Sequence, residues 1–212
     1  MSTFANSLPK DPSYFGAVAS VQPKTTLNVN LYAGPGVGKS VTAAALFVAL
    51  KMRGVHAELV NEYAKELVYD GVIAKTSQRD ILEEQLRRQA RLQGKVDVVV
   101  TDAPPLITLM YASELCEPPA VQELEQLLSR STEGWHNLEV LLHRDVRQSY
   151  EQAGRYQSAE QAREFHERGL VPFLSQRLPH CLHVQVQASL DEHVRLLQTH
   201  VEQALCKARA ER

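Results

Sequence analysis

Residues 33–40 of the chain read AGPGVGKS, between an alternating apolar run and an alanine-rich stretch. This order predicts a strand, a glycine loop and the start of a helix. In such a loop, backbone N–H groups and the positive end of the helix dipole converge on one anion. The lysine of the motif reaches the β- and γ-phosphates, and the serine hydroxyl that follows binds Mg²⁺. The stretch therefore predicts a nucleoside-triphosphate site that uses Mg²⁺.

The residues expected to contact the nucleotide lie in and beside this stretch. They are Gly34, Gly36, Val37, Gly38, Lys39, Ser40 and Val41. The common form of the motif begins with glycine, and Ala33 stands at that position here. Gly34 and Gly36 can supply the backbone freedom that the loop needs, so the departure changes little. The alternative is a chance glycine-rich turn before an ordinary helix.

The composition restricts the class of protein. The chain has 212 residues, 44% of them hydrophobic, which is enough for one α/β core. A net charge of −2 provides no overall attraction to nucleic acid or to an anionic membrane. Three widely separated cysteines without a C-x-x-C pair fit a reducing compartment. Because neither a signal peptide nor an apolar run of membrane length is evident, we expect a cytoplasmic protein without a membrane partner.

Strands and helices alternate along most of the chain. Strands are predicted at residues 27–31, 56–62, 96–102, 137–143 and 183–186, with amphipathic segments between them. The third of these strands is almost entirely β-branched, as expected for a strand buried on both faces. The alternation predicts an α/β fold in which helices cover both sides of a parallel sheet.

Two parts are predicted along the chain. Residues 1–26 contain three prolines among Ser, Thr and Asn, a composition that breaks helices. We interpret them as an extended arm that lies on the domain, and a partly mobile terminus is the alternative. Residues 27–212 are predicted to form one nucleotide-binding domain.

Two acids directly follow predicted strands. Asp102 comes after the β-branched strand, which in a chain with a glycine loop is the Walker B arrangement of a magnesium site. The alternative is an aspartate that caps a loop. Glu62 ends the second strand at the edge of the sheet where ligands of α/β proteins bind. A carboxylate there can accept the proton of an acceptor hydroxyl, although it could instead stabilise a helix start.

A polar stretch at residues 144–157 is long enough to close over a ligand as a lid. It carries Arg144, Arg147 and Arg155. Phosphoryl transfer needs a cation for the charge on the transferring group, and Arg155 is the first candidate. The other two arginines are alternatives.

A basic helix is predicted at about residues 76–94. Residues 75–95 contain six basic and three acidic side chains, and the basic set includes Arg79, Arg87, Arg88 and Arg91. The ordinary interpretation is a solvated face. Contact with a phosphate of the acceptor is the alternative.

Four segments together resemble the small P-loop ATPases and kinases that many bacteriophages encode. They are GPGVGKS at 34–40, LVNEYAKELV at 59–68, GKVDVVVTDAP at 94–104 and GRYQ at 154–157. Those proteins are related to nucleoside and nucleotide kinases, including the ribosylnicotinamide-kinase-like group. The resemblance covers roughly residues 27–187. Ala33 and Ala103 depart from the commoner family forms, and neither departure removes a chemical group.

The resemblance implies a P-loop fold whose five-stranded parallel sheet has the order 2-3-1-4-5, with a lid. It implies that Glu62 acts on the acceptor hydroxyl, that Asp102 is the Walker B acid and that Arg155 is the lid arginine. With Lys39, these are the expected catalytic residues, and Ser40 and Asp102 are the expected magnesium ligands.

The implied activity is transfer of the γ-phosphoryl group of ATP, with Mg²⁺, to a hydroxyl of a nucleoside-type acceptor. Some members of the phage group are similar to kinases that phosphorylate 5-hydroxymethyluracil in phage DNA during thymidine hypermodification. That modified DNA is the first expectation for the acceptor, and the host cytoplasm is the expected location if the protein is phage-encoded.

Two other functions stay open from the sequence. The chain could phosphorylate free nucleosides or nucleotides, or it could be an ATP-binding regulatory module that hydrolyses slowly or not at all. Glu62 together with a lid argues against the module, since a switch needs no acceptor base. The chain has no Asn-Lys-x-Asp guanine signature, so ATP is favoured over GTP.

Overall fold

A computed structural model describes residues 24–143, 158–186 and 189–210 of the chain. Its strands are β1 (Leu27–Tyr32), β2 (Ala57–Val60), β3 (Val98–Thr101), β4 (His136–His143) and β5 (Leu182–Gln185). They form one sheet in the order β2-β3-β1-β4-β5, and every neighbouring pair is parallel. The predicted α/β class and strand order are confirmed.

Helices connect the strands of the described chain. They are α1 (Lys39–Met52), α2 (Tyr63–Tyr69), α3 (Gln78–Ala90), α4 (Leu106–Leu115), α5 (Pro118–Ser131), α6 (Ala159–Glu164), α7 (Val171–Arg177) and α8 (Leu190–Ala210). A 3₁₀ turn at Ile73–Lys75 precedes α3, and a π-helical turn at Phe165–Leu170 joins α6 to α7. None of the described helices combines the length and apolar character needed to cross a bilayer.

The sheet is buried on both faces because successive side chains of a strand point to opposite sides. On one face, Val29 and Leu142 pack with Leu46 of α1 and Leu197 of α8. The opposite face packs against α4, the π-helical turn and α7. The whole of β1 is buried, as is β3. The predicted burial of the β-branched strand on both sides is confirmed.

The buried face of α1 differs from the one that the sequence predicts. In the sequence, helical spacing is shown by Val41, Ala44, Ala45, Val48 and Ala49, which predicts that these residues form the face packed on the sheet. The buried residues are instead Thr42, Ala43, Leu46 and Leu50. Val41 is 59% exposed and Val48 is 52% exposed. Small alanines define a helix face weakly, so the two leucines decide which side of α1 meets the sheet.

Helix α4 was not predicted. Its sequence, LITLMYASEL, is apolar on most sides and therefore lacks the polar face by which an amphipathic helix is recognised. Its buried residues, Thr108, Leu109, Met110 and Ala112, lie on the side that packs against α3, α5 and the π-helical turn, whereas Leu115 at its end is 69% exposed. Prolines followed by apolar residues at its start provide no capping residue, so the beginning of the helix was not recognisable from the sequence.

The sequence predicts a helix cap at Thr76 or Ser77 and a capping box of Ser158 with Gln161, and both helix starts are confirmed. Ser77 caps α3 by accepting a hydrogen bond from the backbone N–H of Asp80, and Ser158 forms the capping box with Gln161. Pro172 restarts the chain as α7 after the π-helical turn. Helix α3 itself ends at Ala90, earlier than predicted, and tight turns lead from there into β3. Residues 1–23 of the predicted arm lie outside the described residues.

Candidate nucleotide and acceptor site

The glycine loop lies between the end of β1 and the start of α1. Two of its glycines have positive φ, 76° at Gly36 and 96° at Gly38, a conformation that residues with a Cβ rarely adopt. Gly38 is the N-cap of α1, and the first turn of α1 contains no acidic side chain. The N–H groups at a helix start have no partner within the helix. The backbone N–H groups of the loop and of the first turn of α1 can therefore donate to an anion, and no acidic side chain in that turn repels it.

Gly34 has a different structural role from the one predicted for it. Its φ lies outside the left-handed region, so backbone freedom does not explain the glycine. A Cβ at this position would lie 2.8 Å from the Cβ of His166, which is too close for real atoms. The backbone N–H of Gly34 donates to Nδ1 of His166 at 3.1 Å. Glycine is needed because the π-helical turn approaches the loop here.

Ser40 and Asp102 meet at the carboxyl edge of the sheet. Because β1 and β3 are parallel neighbours, the ends of both strands reach the same edge. The Ser40 hydroxyl donates to Oδ2 of Asp102 at 2.5 Å. The residue Asp102 is 6% exposed, and its Oδ1 is buried with no hydrogen-bond partner among the described residues. A buried carboxylate oxygen beside a hydroxyl suits Mg²⁺, which prefers oxygen ligands.

Glu62 lies between the end of β2 and α2. It is the N-cap residue of α2, but its side chain makes no capping hydrogen bond. The half-buried carboxylate instead lines a cavity together with Ala103 and Tyr111. Burial raises the pKa of Tyr111 to about 12, with further contributions from the charges of Glu62 and Glu114. The side chain of Glu62 is thus available to a molecule in the cavity.

The cavity has a volume of about 470 Å³ and lies between α2, α3 and α4. Its wall is mostly apolar and aromatic, and includes Val68, Tyr69, Ile73, Ile81, Ile107, Tyr111 and Leu115. The cavity reaches Ala103, the residue after Asp102, so it borders the proposed magnesium site. Apolar walls with few polar groups are typical of pockets for small molecules.

Gln85 of α3 holds the turn that carries Glu62, a contact that was not predicted from the sequence. Gln85 is 3% exposed. Its Oε1 accepts a hydrogen bond from the backbone N–H of Tyr63 at 3.1 Å, and its Nε2 donates to the carbonyl of Asn61 at 3.4 Å. Both backbone neighbours of Glu62 are therefore fixed by one buried side chain. A glutamine on the apolar face of a predicted basic helix was the available signal.

The predicted lid cations lie outside the described residues. This applies to Arg144, Arg147 and Arg155. The structure therefore brings together Lys39, Ser40, Asp102 and Glu62 at one edge of the sheet, and leaves the role of Arg155 a prediction.

The basic helix α3 is largely neutralised by carboxylates. Arg79 pairs with Glu83 and Glu123, and Arg87 pairs with Glu84. The formal positive charge predicted for this face is thus shared with acidic neighbours. The ordinary interpretation, a solvated face, fits the exposed arginines, and Arg88 is an exception.

Arg88 ties α3 to α2. Its guanidinium donates to both carboxylate oxygens of Glu66, at 2.7 and 2.6 Å, and to Glu84 at 2.8 Å. It also lies over the ring of Tyr63, 4.8 Å from the centroid. Hydrogen bonds from Arg87 and then Arg88 lower the pKa of Glu84 to about 2. This cluster supports the helix that begins next to Glu62.

We expect Arg88→Ala to lower the free energy of unfolding by about 1–2 kcal/mol, because it removes charged hydrogen bonds from a side chain that is only 16% exposed. The matched control is Arg87→Ala, which removes a 62% exposed partner of the same Glu84 and should have a smaller effect. Denaturant titration of both variants measures the difference. Equal effects would contradict the structural role of Arg88.

The cluster also has an expected pH dependence. The pKa of Glu84 is depressed in the folded protein, so its stabilising effect is present above the ordinary value of 4.5. It is lost as the pH falls from about 4.5 toward 2. In Arg88→Ala, the loss of stability over this range should be smaller than in the wild type.

A glycine loop after the first strand, an acid after the adjacent strand, and the order β2-β3-β1-β4-β5 together define a P-loop nucleoside-triphosphate-binding fold. The family described as an AAA domain matches residues 28–192, and the chain belongs to this family. Such a domain implies nucleotide binding. A comparison with curated protein sequences gives no match.

Several solved structures share the fold at low sequence identity. A NadR protein in complex with NR is 18% identical, with a TM-score of 0.54 over 78% of this chain and 47% of that one. A deoxyadenosine kinase from M. mycoides is 12% identical, with a TM-score of 0.52 over 83% and 98% of the two chains. The YorR protein from Bacillus subtilis, in complex with phosphorylated GDP, is 18% identical, with a TM-score of 0.55 over 82% and 95%. The chain spans less than half of the NadR protein, and these identities establish a kinase-like fold only.

Proposed function

We propose that the protein is an ATP-dependent kinase that transfers the γ-phosphoryl group to a hydroxyl of a nucleoside-type acceptor. The observation that carries the proposal is the position of Glu62. Its carboxylate makes no helix-capping bond, lines the 470 Å³ cavity, and lies at the edge of the sheet that holds the glycine loop. An ATP-binding regulatory module transfers no phosphoryl group to an acceptor, so it has no need of a carboxylate that lines a cavity beside the nucleotide site.

On the nucleotide side, the loop amides and Lys39 would bind the phosphates. Ser40 and Asp102 would hold Mg²⁺, which when bound neutralises charge on the phosphate oxygens. The proposal for the metal is supported by the Asp102 Oδ1 atom, which is buried without a partner among the described residues. Arg155 is the proposed lid cation.

On the acceptor side, the aromatic rings of Tyr69 and Tyr111 suit a flat, partly apolar group such as a nucleobase. Glu62 would accept the proton of the acceptor hydroxyl. The hydroxyl oxygen would attack the γ-phosphorus while the bond from this phosphorus to the β-phosphate oxygen breaks. Gln85 would keep that carboxylate in place through the backbone on either side of it.

The charges of α3 favour a free nucleoside or nucleotide over DNA. A DNA acceptor calls for a track of unpaired basic side chains beside the pocket, because phosphate contacts dominate DNA affinity. Of the four arginines named for this face, Arg79, Arg87 and Arg88 are paired with carboxylates, and Arg91, which follows α3, is exposed and forms no ion pair with the described residues. The 5-hydroxymethyluracil acceptor and a phage origin therefore stay predictions from the family resemblance.

The test incubates the protein with γ-labelled ATP and Mg²⁺ and a panel of nucleosides, nucleotides and hydroxymethylated DNA. We expect label on the hydroxyl of a free nucleoside-type acceptor. Label on DNA alone would restore the DNA acceptor. Release of inorganic phosphate without any labelled acceptor would support the regulatory module and contradict the kinase proposal. A preparation of Lys39→Ala purified in the same way controls for contaminating kinases.

A further inference from the structure

Three histidines from separate parts of the chain form a hydrogen-bonded series that ends on the glycine loop. His166, in the π-helical turn, accepts from the Gly34 N–H through Nδ1 at 3.1 Å. Its Nε2 lies 3.2 Å from Nδ1 of His143, at the end of β4. Nε2 of His143 lies 3.0 Å from Nδ1 of His183, in β5. Ring centroids 5.1 and 5.0 Å apart fit imidazoles joined end to end.

The Gly34 amide fixes the tautomer of every ring in the series. A backbone N–H can only donate, so Nδ1 of His166 must be unprotonated and its proton must be on Nε2. That proton is donated to Nδ1 of His143, whose own proton is therefore also on Nε2. The same reasoning applies to His183. The series is complete only when all three imidazoles are neutral.

One additional proton must break one of the three contacts. Because the Gly34 N–H occupies Nδ1 of His166, this nitrogen cannot carry a proton. Each hydrogen bond between two rings contains one ring proton, and the outer Nε2 of His183 carries one more. Three ring protons therefore fill the series, and a fourth places two N–H groups opposite each other. His183 is exposed, whereas His143 and His166 are half-buried, so the series has one end open to solvent protons.

We propose that His166 is a positioning residue for the glycine loop, and that protonation of the His166–His143–His183 series weakens nucleotide binding in acid. The inference rests on the proposed nucleotide site. His166 acts through the Gly34 backbone, at a point where even a methyl group would collide with it. When the Gly34 N–H loses its acceptor, the amides that follow it in the loop lose their fixed direction toward the phosphates.

The charges around the series set where it titrates. Burial, and then the neighbouring His183, lower the pKa of His143. On the π-helical turn and α6, Glu164 pairs with Arg168, and Glu167 is exposed. Because the pKa of His143 is lowered, this central ring is expected to be neutral at neutral pH, and the change is expected on acidification below the ordinary histidine pKa of about 6.5.

The test measures the dissociation constant of MgADP by calorimetry from about pH 7.5 to about pH 5.5, a range that spans histidine titration. The key variant is His166→Asn, because the Asn Oδ1 can accept from the Gly34 N–H but does not titrate in this range. Over this pH range, we expect the affinity of the wild type for MgADP to fall by a factor up to about ten times larger than the fall measured for His166→Asn. A tenfold difference corresponds to the free energy of about one backbone hydrogen bond. Titration of ADP itself is common to both proteins and cancels in the ratio.

Two further variants sharpen the comparison. His166→Phe removes the acceptor and should bind MgADP more weakly at every pH, without the acid-dependent step. His56→Asn removes an exposed histidine at the opposite edge of the sheet and should behave as the wild type. Nitrogen-15 NMR of the imidazoles should show the Nε2–H tautomer for all three histidines, and MgADP should lower the pKa of His166 by linkage.

The outcomes separate this inference from the proposed function. Equal pH dependence in the wild type and His166→Asn, or an Nδ1–H tautomer at His166, would overturn the inference and leave the kinase proposal intact. Affinity that rises in acid only in the wild type would mean that charge on His166 acts directly on phosphate, and would also overturn it. No binding of MgADP at any pH would contradict the nucleotide site itself.

Discussion

Lys39→Ala is expected to reduce phosphoryl transfer by at least about 10²–10³-fold, because the lysine supplies positive charge where negative charge develops on the phosphates. Stability should be nearly unchanged. Lys39 is half-buried at the first position of α1 and makes no hydrogen bond or ion pair with the described residues. Single-turnover transfer from γ-labelled ATP measures the first effect, and denaturant titration measures the second.

The matched control for Lys39→Ala is Lys51→Ala in the same helix. Lys51 lies in the last turn of α1 and pairs with Glu58 at the surface. Lys51→Ala also removes one positive charge from α1, but it does so at the end of the helix that is distant from the glycine loop. Phosphoryl transfer should therefore be unaffected. Wild-type turnover in Lys39→Ala would contradict the kinase proposal, whatever the behaviour of the control.

Glu62→Gln is expected to leave ATP affinity unchanged while transfer falls by about 10²–10⁴-fold, the usual contribution of a general base. Glutamine keeps the size and the hydrogen-bonding atoms of glutamate but cannot take up the proton of the acceptor hydroxyl. ATP binding by calorimetry and single-turnover transfer to the acceptor found in the panel separate the two effects.

Glu114→Gln provides the control for Glu62→Gln. Both carboxylates contribute to the raised pKa of Tyr111, but Glu114 is exposed on α4 and is not part of the cavity wall. Both substitutions should therefore lower the pKa of Tyr111, and only Glu62→Gln should slow transfer. If Glu62 merely stabilises α2, its substitution would lower stability by about 0.3–1 kcal/mol and leave transfer untouched. That result would remove the acceptor-base assignment.

The parts of the fold that local chemistry determines were predictable from the sequence. The β-branched run before Asp102 requires burial on both faces, and AGPGVGKS requires a loop that ends in a helix start. The sheet order was implied by the family resemblance. The buried face of α1 was not predictable from spacing, because alanines fit either side of a helix. Helix α4 carried no amphipathic signal because apolar residues such as Tyr111 and Leu115 also occupy its exposed side.

The same distinction applies to the site. Local sequence patterns identified four site residues. The glycine-loop motif contains Lys39 and Ser40, and predicted strands end at Glu62 and Asp102. The Gly34–His166 contact joins residues 132 positions apart, and no local pattern indicates it. The pairing of Gln85 with the turn around Glu62 likewise depends on where α3 packs. Long-range contacts of this kind follow from the assembled fold alone.

The central position of β1 has a consequence for synthesis of the protein on the ribosome. Strand β1 is made first, yet both of its neighbours in the sheet, β3 and β4, come much later in the chain. Pairing between distant segments is slow because the intervening chain must be ordered first. A nascent chain that ends before β4 therefore carries the complete AGPGVGKS segment but lacks β4, which pairs with β1, and the π-helical turn, which contacts Gly34. Nucleotide can assist folding only late, after most of the polypeptide has left the exit tunnel.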